Sequence, residues 1–241
     1  MKIKNYFSPN FNKVKRSIKS TKLVVIHYTG MQSERESLKR LCNPKFKVSC
    51  HYLITKNGTI YRLVEENKIA WHAGKSRWRK FKNLNKNSIG IELTNKGHQF
   101  GYTNFTKKQL STLIKICTRI IKKYKIEKKN IVGHSDIAPL RKIDPGEKFP
   151  WQELSKKHIG IWHSHKLNFL KKFRKINNNK KKDRINFIKN LNRIGYYVPK
   201  NYEPFLTKIV KAFQRRYRQE LINGKIDEEC LLIANNLSKN L

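Results

Sequence analysis

Two rhythms of apolar spacing organise the first 150-odd residues. Leu23 to Tyr28 is a short apolar run rich in β-branched residues, the pattern of a buried strand. Thr29-Gly30 breaks it, and Ser33 to Leu41 has helical spacing with Ser33 placed to cap the N-terminus. His51 to Thr55 and Thr59 to Val64 flank Lys56-Asn57-Gly58. Asn-Gly between two apolar runs predicts a hairpin, because both residues tolerate positive φ. Ile89 to Leu93 predicts another strand. Thr106 and Gln109 form a capping-box pattern, opening a helix to about Tyr124 with Leu110, Leu113, Ile114, Cys117, Ile120 and Ile121 on one face. Ile131 to Gly133 is a last short strand. Strands alternating with helices around one hairpin predict an α/β domain, a mixed central sheet flanked by helices, over residues 1–165.

The pattern then changes. Lys171 to Arg184 holds eight basic residues, three consecutive asparagines and one acid, so residues 166–184 read as a basic linker with little capacity for a core. Beyond it Ile185, Ile188, Leu191 and Ile194 recur at helical spacing and stop at Gly195. Phe205, Ile209, Ala212 and Phe213 recur likewise, and Asp227 is placed to cap a helix carrying Leu231, Leu232 and Ala234. Residues 185–241 thus predict a small three-helix domain.

Composition narrows the function classes. The chain has 241 residues with 55 Lys plus Arg against 16 Asp plus Glu, a formal net charge of +39. Such charge attracts nucleic acid or another anionic polymer such as a cell wall. The basic residues are spread over the whole chain and no RNA-binding or zinc-finger signature is present, so no specific nucleic-acid partner is expected. No apolar run approaches a membrane span, and Met1 to Ser20 lacks a continuous apolar signal segment. A cytoplasmic location is therefore expected, with a periplasmic or outer-membrane-associated one as the alternative. Cys42, Cys50, Cys117 and Cys230 show no C-x-x-C spacing and read as reduced thiols. A monomer is favoured.

The densest cluster of reactive side chains runs from Gly133 to Gly146, in the order Gly-His-Ser-Asp-Ile-Ala-Pro-Leu-Arg-Lys-Ile-Asp-Pro-Gly. His134 leaves a strand, and Asp144 follows ten positions later across a loop that Pro139, Pro145 and Gly146 allow to double back. His27 sits at the C-terminal end of the first predicted strand, one residue before Tyr28. Two imidazoles and a carboxylate are a common zinc ligand set that leaves a fourth position open. Asp136 lies nearer to His134 but reads as a residue that caps or orders the loop.

Four ordered segments carry a resemblance: His27-Tyr28-Thr29-Gly30 after an apolar strand, Trp71-His72-Ala73-Gly74, Gly90-Ile91-Glu92-Leu93, and Gly133 to Gly146. Together they resemble the zinc-dependent N-acetylmuramoyl-L-alanine amidases of the AmpD and AmiD type, related in fold to peptidoglycan recognition proteins. The resemblance covers roughly Pro9 to Trp162. Val210 to Tyr217 is similar to the small peptidoglycan-binding helical domain that follows the AmiD-type catalytic domain. The resemblance implies Zn2+ held by His27, His134 and Asp144, with Glu92 as the catalytic glutamate and Lys142 stabilising the transition state. Arg141 is the neighbour most easily confused with Lys142. It further implies hydrolysis of the amide joining N-acetylmuramoyl groups to L-alanine, in peptidoglycan or muropeptides. The alternative is a non-catalytic peptidoglycan-binding module. His51, Trp71 and His72 are candidates for substrate contact at the cleft, each with a structural role as its rival. His158, His163 and His165 crowd around Trp162 without a partnering acid and read as no second metal site.

Overall fold

The structure is a computed structural model that describes residues 2–175 and 181–241. Its centre is a six-stranded sheet built from β1 (Ile3–Asn5), β2 (Leu23–Tyr28), β3 (Tyr52–Ile54), β4 (Ile60–Arg62), β5 (Ser88–Leu93) and β6 (Ile131–Gly133), in spatial order β1-β4-β3-β5-β2-β6. Only the β3–β4 hairpin pairs antiparallel, and every other neighbour is parallel. The mixed sheet predicted from the sequence is therefore present, with β1 as an edge strand that the apolar pattern did not show. β2 and β5 are buried along nearly their whole length. That burial accounts for their unbroken apolar runs, since a parallel strand covered on both faces has no need to alternate.

Among the described residues there are eight α-helices, besides five short 3-10 helices and two two-stranded sheets: α1 (Glu34–Cys42), α2 (Lys107–Tyr124), α3 (His134–Ile137), α4 (Trp151–Ser155), α5 (Leu167–Lys171), α6 (Lys181–Ile194), α7 (Leu206–Tyr217) and α8 (Glu228–Lys239). Ser33 caps α1 by accepting from Glu36 N–H, and Asp227 caps α8 by accepting from Cys230 N–H. Thr106 likewise caps α2 through Gln109 N–H, but the Gln109 side chain does not return to the cap. It donates instead to the Ile54 and Thr94 carbonyls at 3.0 and 3.2 Å, buried acceptors that have a stronger need of a donor. The buried stripe of α2 is also turned from its predicted position. Leu113, Ile116, Cys117, Ile120 and Tyr124 face inward, whereas Leu110, Ile114 and Ile121 are only partly covered.

Alternation along β2 divides the core in two. Val24 and Ile26 face α2, and Leu23 and Val25 face away from it. On that second side one cluster runs without a break from Leu23, Val25 and Val132 through Trp78 into Phe187, Ile194, Tyr196 and Phe213 of the C-terminal part. The small helical domain predicted from the sequence thus shares a core with the α/β part. Trp78 and Tyr196 meet edge to face at 5.1 Å, and a side chain on Gly195 would come within 2.6 Å of the Trp78 ring. The segment predicted as a basic linker also has structure. Within it α5 buries Leu170, and Arg174 pairs with Glu229 and Glu220 at 2.7 and 2.9 Å. Its residues 176–180 lie outside the described residues. All four cysteines are free thiols.

A buried carboxylate fastens α2 to the sheet. Glu66 accepts from Tyr52 and Tyr124 hydroxyls at 2.7 and 2.8 Å and pairs with Arg119 and Lys123. Burial alone would raise its carboxyl, but the bonds from Lys123, Tyr52 and Tyr124 and the Arg119 charge hold it down to about 2. A depressed carboxyl stabilises the fold above its unfolded pKa and loses that contribution as pH falls toward the folded one. Glu66→Gln is expected to lower stability at pH 7 by on the order of 1–3 kcal/mol, because several donors lose a charged acceptor. Urea unfolding should show the gap to the parent protein closing as pH falls from about 4.5 toward 2; a gap that does not change with pH would contradict the assignment.

Candidate active site

Three parallel strands end level with one another. His27, next to last in β2, stands opposite Glu92 of β5, and Gly133, the last residue of β6, stands opposite Ile26. Glu92 and His27 therefore lie side by side on one face, and His134 enters one step beyond β6. The crevice beyond the carboxyl ends of parallel strands is where α/β sheets place their sites. Here it forms a cleft of about 510 Å³ whose walls include His27, Glu92, His134, Lys142 and Asp144. The loop from His134 to Asp144 doubles back as its prolines suggested, with Ser135 N–H donating to the Asp144 carbonyl at 2.8 Å.

The two histidines and Asp144 converge. His27 Nδ1 lies 3.0 Å from both His134 Nδ1 and Asp144 Oδ2, and His134 Nδ1 lies 3.1 Å from the same Oδ2. Among the described residues these three form the one cluster of His, Cys, Asp or Glu donors tight enough to hold a metal. All three are buried. Desolvation, with His134 close by, pushes the His27 imidazole down to about 4, so it is neutral at ordinary pH. Burial opposes ionisation of Asp144, but His134 and His27 outweigh it and hold the carboxyl well below the usual range.

The outward nitrogens decide which way the lone pairs point. His134 Nε2 faces the Ala73 carbonyl at 3.3 Å, an acceptor, while Arg141 Nη2, 3.4 Å away, spends its protons on the Ala73 and Lys75 carbonyls, so Nε2 carries the proton and Nδ1 is left as a base. For His27 the same result comes through a chain. The Ser88 hydroxyl donates to the Leu84 carbonyl at 2.6 Å, so its oxygen accepts from His72 Nε2 at 3.2 Å. His72 Nδ1 then accepts from His27 Nε2–H at 3.1 Å, which again leaves Nδ1 as the free base. Three electron-rich atoms thus face one another at about 3 Å. A cation between them satisfies all three, and the donor set suits a divalent metal with an open position.

Glu92 lies beside this group, nearly buried, and its Oε2 has no hydrogen-bond partner. Burial, reinforced by the Asp144 charge and opposed by Lys142, pushes the carboxyl well above its ordinary range. Such a carboxyl holds a proton more readily than an exposed one, which suits it to general acid–base work. Lys142 lines the cleft as predicted. Its neighbour Arg141 is occupied elsewhere, with its guanidinium on the backbone carbonyls of Ala73 and Lys75.

Of the three expected substrate contacts, the structure places only His72 at the cleft wall. His51 is fully buried, accepting from Gly90 N–H at 3.0 Å and facing the Lys68 carbonyl at 3.2 Å, so it serves the sheet and does not reach the cleft. Trp71 is tied through its ring N–H to Asn12 and is not part of the cleft wall. His72 does reach the wall, but both ring nitrogens are engaged by His27 and Ser88. A side chain on Gly90 would come within 2.4 Å of the His72 ring, so the glycine before Ile91-Glu92 is the seat of that imidazole. Sequence reading missed Ser88, Asn85 and Tyr102. Asn85 accepts from His72 and Ala73 N–H at 3.1 and 2.6 Å, and Tyr102 donates to the Pro145 carbonyl at 2.6 Å beside Asp144. A serine opening a strand or an asparagine in a single 3-10 turn has no signal in the apolar pattern.

Comparison with known proteins agrees with this geometry. The family model described as N-acetylmuramoyl-L-alanine amidase (Amidase_2) matches residues 17–147. The chain is 39% identical over 230 residues to N-acetylmuramoyl-L-alanine amidase AmiD of Escherichia coli, covering 90% of this chain and 82% of that one. It is 37% identical over 163 residues to 1,6-anhydro-N-acetylmuramyl-L-alanine amidase AmpD of Haemophilus influenzae, covering 60% of this chain and 86% of that one. A solved complex of the E. coli AmiD with the substrate anhydro-N-acetylmuramic acid-L-Ala-D-gamma-Glu-L-Lys superposes with a TM-score of 0.82 at 35% identity, over 95% of this chain and 93% of that one. With the strand-end cluster, the family profile and a relative aligned along nearly its full length all in accord, the chain belongs to the N-acetylmuramoyl-L-alanine amidase family.

Proposed function

We propose that this protein is a zinc-dependent amidase that hydrolyses the bond between the N-acetylmuramoyl lactyl carbonyl and the L-alanine nitrogen of peptidoglycan or its muropeptide fragments. The observation that carries the reading is the convergence of His27 Nδ1, His134 Nδ1 and Asp144 Oδ2 beside a buried Glu92 whose Oε2 has no hydrogen-bond partner. A relative of the same architecture takes an anhydro-muropeptide as substrate, and Arg40 and Lys142 around the cleft suit an acidic stem peptide.

His27, His134 and Asp144 would hold the ion. Bound there, zinc supplies Lewis acidity that brings the pKa of water toward ~7 and polarises a carbonyl. Glu92 accepts the proton of the attacking water on its free carboxylate oxygen. The same carboxyl then delivers that proton to the nitrogen of the departing L-alanine, without which the amine is a poor leaving group. Lys142 places an ammonium at the cleft wall to face the negative charge that develops on the former carbonyl oxygen. His72 and Ser88 keep the His27 proton on the outward nitrogen.

Mass-spectrometric digests of purified peptidoglycan and of soluble anhydro-muropeptides, each with and without chelator, test this reading. Chelator-sensitive release of stem peptides with a free L-alanine amine is expected, and Glu92→Gln should lower kcat by about 10²–10⁴ while still binding zinc. Full activity in a verified metal-free sample would refute the mechanism.

The same Glu92 has a cost for stability. A carboxyl raised in the fold stabilises below its unfolded pKa, and that contribution is lost as pH rises through the folded value. In the metal-free protein Glu92→Gln is therefore expected to be neutral near pH 4 and stabilising at pH 7, by on the order of 1 kcal/mol or about 2–4 °C in Tm. Thermal scans of the apo forms across that range decide it, with no gain at pH 7 as the contrary result.

His72→Leu should weaken zinc binding about 10–100-fold, and Ser88→Ala less. Competition with a chromogenic chelator reads this directly. Parental affinity in both would show that the relay does not hold the His27 tautomer.

A further inference from the structure

Asp136, two residues beyond His134, is fully buried. One of its three partners is local: Gly133 N–H donates to Oδ2 at 2.7 Å and closes the turn from β6 into α3. The other two come from the C-terminal third of the chain. Tyr196 hydroxyl donates to Oδ1 at 2.6 Å, and the Arg216 guanidinium of α7 is paired with Oδ2. Arg216 also donates to the Ile131 carbonyl of β6 at 3.0 Å and lies over the Trp151 ring at 4.2 Å. It is itself 1% exposed. The turn has no slack on its other side, because a side chain on Gly133 would lie 2.6 Å from Pro145 Cδ, next to Asp144.

A buried carboxylate stripped of its counter-ion is strongly destabilised, and one backbone N–H does not compensate. The turn that presents His134 can therefore keep this shape only while α7 and Tyr196 are docked against it. We propose that the C-terminal helices position the metal ligand His134 through the Arg216–Asp136–Tyr196 clamp, making the helical part a working component of the active site. The opposite expectation is reasonable, since an amidase relative aligns over only 60% of this chain. A clamp so arranged predicts that helical-part substitutions far from the cleft alter the metal site itself. The proposal rests on the metal-site reading in one respect, that His134 is a ligand.

The test uses full-length apo protein and zinc, with affinity measured by chelator competition at a temperature where circular dichroism shows every variant folded. Tyr196→Phe removes one hydroxyl and is expected to weaken zinc binding about 3–10-fold; Arg216→Met should weaken it about 10–100-fold. Leu237→Ala in α8 removes buried apolar volume from the same helical part without touching the clamp. It should lower Tm and leave zinc affinity at the parental value. With soluble muropeptide, the clamp variants should lose kcat more than they raise KM. Parental zinc affinity in both clamp variants would overturn the proposal, as would an equal loss in Leu237→Ala. If the parent binds zinc and the clamp variants match it, this inference alone fails. If the parent binds none, the metal-site reading falls with it.

Discussion

The parallel register of β2, β5 and β6 is the constraint on which the site depends. Pairing of His27 with Glu92, and of Gly133 with Ile26, brings a base, a candidate general acid–base and a second imidazole to one level at one end of the sheet. A slip of one residue would turn His27 toward α2 and into the apolar cluster of Val24 and Ile26. The apolar runs that bury these strands thus also aim the chemistry, because the same alternation that selects core residues selects the face on which His27 emerges.

Polar groups on that face come in sets that satisfy one another, apart from Glu92. Ser88, His72 and His27 lie in one chain whose direction is set by a backbone carbonyl that can only accept. Such order in a low-dielectric interior fixes a tautomer with no charge involved. Gly90 contributes by lacking a side chain, which gives the imidazole its place against β5. Glu92 is the exception, and a buried carboxyl with one oxygen left without a hydrogen-bond partner is stability given up for reactivity.

The unusual charge balance fits the same pattern. Of 16 acids, Glu66, Glu92, Asp136, Asp144, Asp227 and Glu229 are buried in ion pairs, caps or the cleft. Ten carboxylates are left to offset a far larger number of basic side chains outside, since of the 55 only Arg16, Arg216 and Arg218 are buried among the described residues. The surface is accordingly cationic, a field that attracts anionic polymer over about a Debye length, ~8 Å at physiological salt. The buried acids also fasten parts together: Glu66 holds α2 to the sheet, Asp136 holds α7 to the His134 turn, and Glu229 holds Arg174 beside α8.

Much was legible in the sequence because it is local. The apolar run ending at His27, the Asn57-Gly58 turn, the caps at Ser33, Thr106 and Asp227 and the helix stop at Gly195 each depend on residues a few positions apart, and all stand in the structure. His27, His134 and Asp144 could be named from motif order, and Asp136 could be read as a loop-ordering residue. What tertiary structure alone decided involves partners far apart in the chain. Whether His51 touches substrate, what Gly90 makes room for, where the Gln109 amide goes and which counter-ion answers Asp136 depend on contacts spanning from 15 to 80 positions. Periodicity records that a side chain is buried; only the packed fold determines what it is buried against.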